Sequence, residues 1–184
     1  MKRLLTALAF VTAASTAQAA VLIQANNVGD DLVFSYSGTL DLTGMVQDGQ
    51  DLSPRSLIAG GVGAILSYNN NVDRYALNSL PAFGNQSLSN GVTLGTDFAI
   101  FSNDFLGIQA GYQSGDAIDG TLTFANESIA TAGLFFGSFT TTLDSGDTIT
   151  MRISDANVVP LPAGLPLLLA GLAGFGVLAR RKRG

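Results

Sequence analysis

Across residues 29–44 (GDDLVFSYSGTLDLTG) alternation is the dominant pattern. Leu32, Phe34, Tyr36, Leu40 and Leu42 share one parity, while Ser35, Ser37, Thr39, Asp41 and Thr43 take the other. A period of two puts the first set on one face of an extended chain, so a half-buried strand, or a strand pair bending at Gly38, is expected here. The same rhythm returns near the end. Phe139, Thr141 and Leu143 alternate, Asp144-Ser145-Gly146-Asp147 supplies turn residues, and Ile149, Met151 and Ile153 alternate after it against Thr148, Thr150 and Arg152. That order is a β-hairpin signature. Leu122 and Phe124 in GTLTFAN mark another strand, and Phe98 to Phe101 a short one. Gly and Asn crowd the connections, and no helical period runs through this region. The expected fold is all-β: a single antiparallel β-sandwich, jelly-roll-like, over residues 20–158. About 140 residues suffice for one core and not comfortably for two.

Both ends break the pattern. Residues 1–19 read as a secretory signal peptide: Lys2 and Arg3 are the positive start, Leu4 to Ala14 an apolar run too short to span a bilayer, and Ala17-Gln18-Ala19 a small-x-small cleavage site that leaves Ala20 first. The far end has the opposite polarity. Leu161 to Ala179 is an uncharged, mostly apolar stretch, and Arg180, Arg181, Lys182 and Arg183 follow at once. As a helix it would extend about 28 Å, close to the hydrocarbon thickness of a bilayer. The basic cluster stays cytoplasmic, so the middle lies outside the membrane, in agreement with a cleaved leader. A helix buried at the end of a soluble domain would show a polar face, and this stretch has none.

Val159-Pro160-Leu161-Pro162-Ala163, the apolar Gly-rich span and the Arg-rich end, taken together over residues 159–184, resemble the VPLPA form of the PEP-CTERM protein-sorting signal. The resemblance implies recognition by an exosortase, an integral-membrane transpeptidase-like enzyme that removes the tail and passes the protein toward the surface. Pro160 and Pro162 suit that role physically, because they keep the segment extended and stop a helix from continuing upstream. A plain linker before a permanent anchor is the alternative, and it leaves the location almost unchanged. The middle is similar, more loosely, to the soluble region of some PEP-CTERM proteins, through GTLDLTG, GYQSGDAIDGTLTFANESIATAGL and GSFTTTLDSGDTITMRI. That likeness implies an exported β domain and assigns no functional residue.

Charge and missing residue types remove several functions. The chain has a net charge of −5, but its middle carries only Arg55, Arg74 and Arg152 against all fourteen acids, which leaves it at −11. Phosphate binding needs a basic surface, so nucleic acid is not an expected partner. The chain contains no His and no Cys. A Ser-His-Asp or Cys-His pair, a zinc site of the usual ligands and a disulfide therefore cannot be built within it.

What remains are carboxylates and glycines. Asp144-Ser145-Gly146 matches the triplet of aspartic proteases, but a single copy inside a hairpin is read as a turn. Gly60-Gly61-Val62-Gly63 lacks both the third Gly of a dinucleotide loop and a following GK[ST], and is read as a flexible bend. Calcium is the most defensible ligand, with Asp116, Asp119, Asp144 and Asp147 as candidates beside Asp30-Asp31 and Asp48/Asp51, although no EF-hand spacing is present. The same residues admit a carboxylate-pair hydrolase, against which the lack of Trp for sugar stacking counts. Asn85-Gln86-Ser87 and Asn126-Glu127-Ser128 fit the glycosylation triplet, but the implied bacterial host argues against modification. Ala170 and Gly174 give a small-xxx-small spacing for helix contacts. The expected role is an exported, non-catalytic surface or extracellular-matrix protein that contacts exopolysaccharide. Its processing partners are signal peptidase and the exosortase. A calcium-dependent carbohydrate-binding module and a small Asp-based hydrolase are the competing classes.

Overall fold

The structure, a computed structural model, describes residues 19–77 and 79–155. Thirteen strands are present among them. The first six are β1 (Ala20–Val28), β2 (Asp31–Gly38), β3 (Gln47–Asp51), β4 (Arg55–Ala59), β5 (Ala64–Tyr68) and β6 (Val72–Ala76). The others are β7 (Ser87–Leu88), β8 (Val92–Gly95), β9 (Phe98–Phe101), β10 (Phe105–Gln109), β11 (Ile118–Phe124), β12 (Gly137–Thr142) and β13 (Thr148–Ile153). They form a six-stranded sheet, β12-β13-β1-β2-β11-β8, and a seven-stranded sheet, β3-β6-β10-β9-β5-β4-β7. One pairing departs from the antiparallel expectation: β1 runs parallel to β13, with Leu22 opposite Thr150.

The alternation of β2 does what its period requires. Leu32, Phe34 and Tyr36 are buried, as are Ile23 on β1, Leu122 on β11 and Met151 on β13. These meet Ile58, Ile65, Phe98, Ile100 and Leu106 of the second sheet in one apolar cluster, so both sheets share a single interior. Burying such side chains is worth about 1.5–3 kcal/mol each. The second sheet is also buried on its outer face. Ala64, Leu66, Tyr68, Val72, Ala99 and Phe105 form a smaller cluster there, with the Arg74 guanidinium 4.3 Å above the Phe105 ring.

The hairpin of β12 and β13 forms as expected, with Thr142 opposite Thr148 and Asp144-Ser145-Gly146 in the turn, closed by Gly146 N–H to Leu143 O at 2.9 Å. Two expectations need correction. β2 ends at Gly38, and Leu40 and Leu42 are not in a strand. Their inward parity survives because side chains hold the backbone. Leu40 N–H donates to the Tyr112 hydroxyl (2.9 Å), Asp41 N–H to the Asp147 carboxylate (2.5 Å) and Leu42 N–H to Ser114 Oγ (2.9 Å). Residues 60–63 are also more constrained than a flexible bend. Gly60–Val62 is one turn of 3-10 helix, closed by Gly63 in the left-handed region (φ +64°). Gly60 donates to Gln86 O and accepts from Phe83 N–H, and a Cβ on it would lie 2.7 Å from Gly84 Cα.

One side of the interior is closed by hydroxyls. Ser56 Oγ and Thr93 Oγ1 are 2.7 Å apart, Thr93 and Ser67 3.1 Å, and Ser67 and the Tyr36 hydroxyl 3.1 Å. Tyr36 then donates to Thr96 O at 2.7 Å. The chain passes from β4 through β8 and β5 to β2, so it ties the two sheets together, and each buried hydroxyl has the partner that burial demands.

Candidate functional site

A cleft of about 490 Å³ opens where the β5–β6 turn meets the start of β9 and the end of β10. Three consecutive amides, Asn69, Asn70 and Asn71, form one wall, and Gln109 the other. The turn is held from beneath by Asp97, which is only 2% exposed. One carboxylate oxygen accepts Asn69 N–H at 2.7 Å; the other accepts Asn70 N–H at 3.2 Å and Asn70 Nδ2 at 2.9 Å. Asn69 Nδ2 donates to Thr93 O at 3.0 Å. Across the cleft, Gln109 N–H donates to Asp97 O and Ala110 N–H to Asn71 O. A buried carboxylate is tolerable only with hydrogen bonds of this kind, and these fix the turn's geometry. The side chains of Asn71 and Gln109 are exposed on either side of the opening. A second hollow of about 230 Å³ shares Gln109 and Ala110 and extends the groove toward Tyr112 and Asp116. Burial raises the pKa of the Tyr112 hydroxyl, only partly offset by its hydrogen bond to Leu40. The Tyr36 hydroxyl, beneath the same region, is pushed up to about 12, chiefly by burial. Both stay protonated across the physiological range and act as hydrogen-bonding groups.

The Asp residues singled out for calcium are spread over separate structural tasks. Asp116 accepts Gln113 N–H at 3.0 Å and closes its own turn. Asp119 lies on β11 and its N–H donates to Thr96 Oγ1 at 3.2 Å. Asp147 is buried and anchors Asp41, while Asp144 is exposed in the hairpin turn. Asp31 accepts Asn126 N–H, Asp48 faces Arg74 at 3.8 Å, and Asp51 accepts Ser53 N–H and the Tyr68 hydroxyl. Among the described residues no three acidic side chains converge as a metal site would require. Asp97, which organises the cleft, has no flag in the sequence, because its partners lie 27 and 28 positions earlier.

The arrangement offers amide donors and acceptors in an open groove with the Asp97 carboxylate beneath it. Such groups match ligands rich in hydroxyls. Ala19 and Ala20 are within the described residues, and β1 starts at Ala20. Ala17, Val159, Pro160, Leu161, Pro162, Ala163 and Arg180 to Arg183 lie outside them, as do the proposed membrane span and its Ala170 and Gly174. Among the described residues no helix is long and apolar enough to cross a membrane. No family model, curated protein or solved structure matches this chain.

Proposed function

We propose that this chain is the precursor of an exported surface or extracellular-matrix protein, sorted by an exosortase-like enzyme and non-catalytic once mature. The observation that carries this reading is the order of Val159–Ala163, apolar span and Arg180–Arg183 behind a charged, cleavable leader. The fold is compatible with it, since the described strands run from Ala20 to Ile153 and leave both addressing segments outside them. The carried module is a jelly-roll-like β-sandwich.

Its contact with the matrix is assigned to the amide groove, where Asn71 and Gln109 meet the hydroxyls of an exopolysaccharide. Sugar rings would be held by hydrogen bonds, since the chain has no Trp to stack on them. Binding of host exopolysaccharide to the exported protein, followed by calorimetry with Asn71→Ala and Gln109→Ala, tests this part. Each substitution is expected to weaken binding about fivefold to tenfold, as loss of one hydrogen bond of about 1 kcal/mol does. Equal affinity in wild type and both variants would refute the groove. A calcium-dependent module is the second reading, motivated by the net −11 middle. It requires a melting temperature that rises in millimolar calcium and returns with chelator.

A further inference from the structure

β1 is an inner strand, with β13 on one side and β2 on the other. Register therefore fixes what surrounds its first residue. Ala20 lies opposite Thr148, and one step back along this parallel pair sets Ala19 opposite Asp147. On the other side Val21 lies opposite Gly38, and the Ala20 carbonyl accepts Thr39 N–H at 3.3 Å. The N–H and C=O of one strand residue face the same neighbour, so the Ala20 nitrogen is turned toward the segment of Thr39 to Asp41.

Asp147 closes that end of β1. It precedes β13, yet its carboxylate accepts the N–H of Asp41, which lies beyond the end of β2, at 2.5 Å. Strands on either side of a third stand roughly 10 Å apart, so this contact draws the two segments together across the start of β1. The Asp147 side chain is buried, at 4% exposure, and it belongs to no ion pair among the described residues. Its charged neighbours are acids. Hydrogen bonds from Thr43 hold the Asp41 carboxyl below the usual Asp range, and Asp116 and Asp147 both act on the Tyr112 hydroxyl. The arginines are engaged or distant: Arg55 faces Asp51, Arg74 faces Asp48 and Asp104, and Arg152 lies five positions along β13, about 17 Å away. A buried carboxylate without a cation weakens a fold.

We infer that removal of the leader supplies the missing cation, the α-ammonium of Ala20 pairing with the Asp147 carboxylate. The inference rests on the reading of residues 1–19 as a cleaved leader. Hydrolysis of the Ala19–Ala20 peptide adds one water, leaves a carboxylate on Ala19 and frees an amine on Ala20, which takes up a proton at neutral pH. Before cleavage the same nitrogen is an uncharged amide. Ala20 is exposed and Ala19 half-buried, so water still reaches the new charge and desolvation does not drive off its proton. Maturation in this way locks the first strand between β2 and the last one.

Protein matured in its host is the sample, with its first residue read by terminal-peptide mass spectrometry. Residues 20–159 contain no Lys, so the α-amine is the sole amine among them that acetic anhydride can reach. The pH dependence of its acetylation, followed on the N-terminal peptide, should give a pKa about one unit above the ordinary value of about 7.7–8.0. That titration needs no variant. Acetylation removes the charge and should lower Tm by about 3 °C at pH 7, while Asp147→Asn should lose nothing further on acetylation. A raised folded pKa gives stability that is complete below about pH 7.7 and lost as pH rises through the folded value, so the acetylation penalty should disappear in alkali. An amine of ordinary pKa, or an equal penalty in wild type and Asp147→Asn, would overturn the pair and leave the leader reading intact. A mature chain that begins elsewhere than Ala20 would overturn both, and the terminal peptide shows this before any titration.

Discussion

The hydroxyl chain across the interior makes a sharp stability prediction. In Tyr36→Phe the ring is retained, with its stack against Phe98 (centroids 5.4 Å apart), so apolar burial is almost unchanged. What is lost is the hydroxyl, which bonds Thr96 O at 2.7 Å and Ser67 Oγ at 3.1 Å. A net hydrogen bond is worth about 1 kcal/mol, and a carbonyl left unpaired in a buried site costs about 1–3 kcal/mol. Thr96 is only half-buried, so water recovers part of that cost, and about 2 kcal/mol is expected in total. For a domain of this size that lowers Tm by about 4–8 °C. Urea unfolding followed by far-ultraviolet circular dichroism should show a lower midpoint at an unchanged slope. Ser67 also bonds Thr93, so Tyr36→Phe/Ser67→Ala should cost less than the two single variants summed, by about 0.5–1 kcal/mol. Single variants within about 0.5 kcal/mol of wild type that combine additively would refute a coupled chain.

Other expectations are as direct. Gly60→Ala should destabilise by about 1–3 kcal/mol or more, because the added carbon would sit 2.7 Å from Gly84 backbone, while Gly61→Ala, with nothing closer than 3.9 Å, should be nearly neutral; equal melting temperatures for the two would contradict the packed turn. Acid should weaken the fold through Asp51. Burial opposes its charge, but the Ser53 N–H, the Tyr68 hydroxyl, Arg55 and Arg74 together hold its pKa below the ordinary Asp value. A depressed folded pKa contributes stability above the unfolded value of about 3.9, and that contribution fades as pH falls through both values. Asp51→Asn should therefore flatten part of the loss between about pH 5 and pH 3, and an acid profile identical to wild type would count against this. Asp97→Asn removes the charge that binds two backbone N–H groups and should loosen the Asn69–Asn71 turn, which faster amide exchange at Asn69 and Asn70 would reveal.

The parts of the fold legible in the sequence are those whose signal is local. The β12–β13 hairpin carries its own turn residues, and β2 and β11 alternate because one face meets the core and the other does not. β5 hides its period, since AILSY is buried on both faces and reads as a continuous apolar run. β3, QDGQD, has no apolar residue at all and exists only because β6 pairs with it. Leu40 keeps the parity of a strand without being in one, because Tyr112, seventy-two positions away, takes both of its backbone groups. The cleft was illegible for the same reason. Asp97 draws its role from a turn nearly thirty residues earlier, whereas the Asp pairs visible in the sequence are dispersed, Asp116 and Asp51 capping their own turns and Asp31 and Asp147 holding distant backbone.

Sorting leaves its mark on both ends of the mature chain. Intact-mass and terminal-peptide mass spectrometry of the mature protein from its native host measures both ends at once. The mature chain is expected to begin at Ala20 and to end within or beside Val159–Ala163, with Arg180–Arg183 gone. A mature protein that keeps Arg180–Arg183 in the presence of the sorting enzyme would contradict it and make the C-terminal span a permanent anchor.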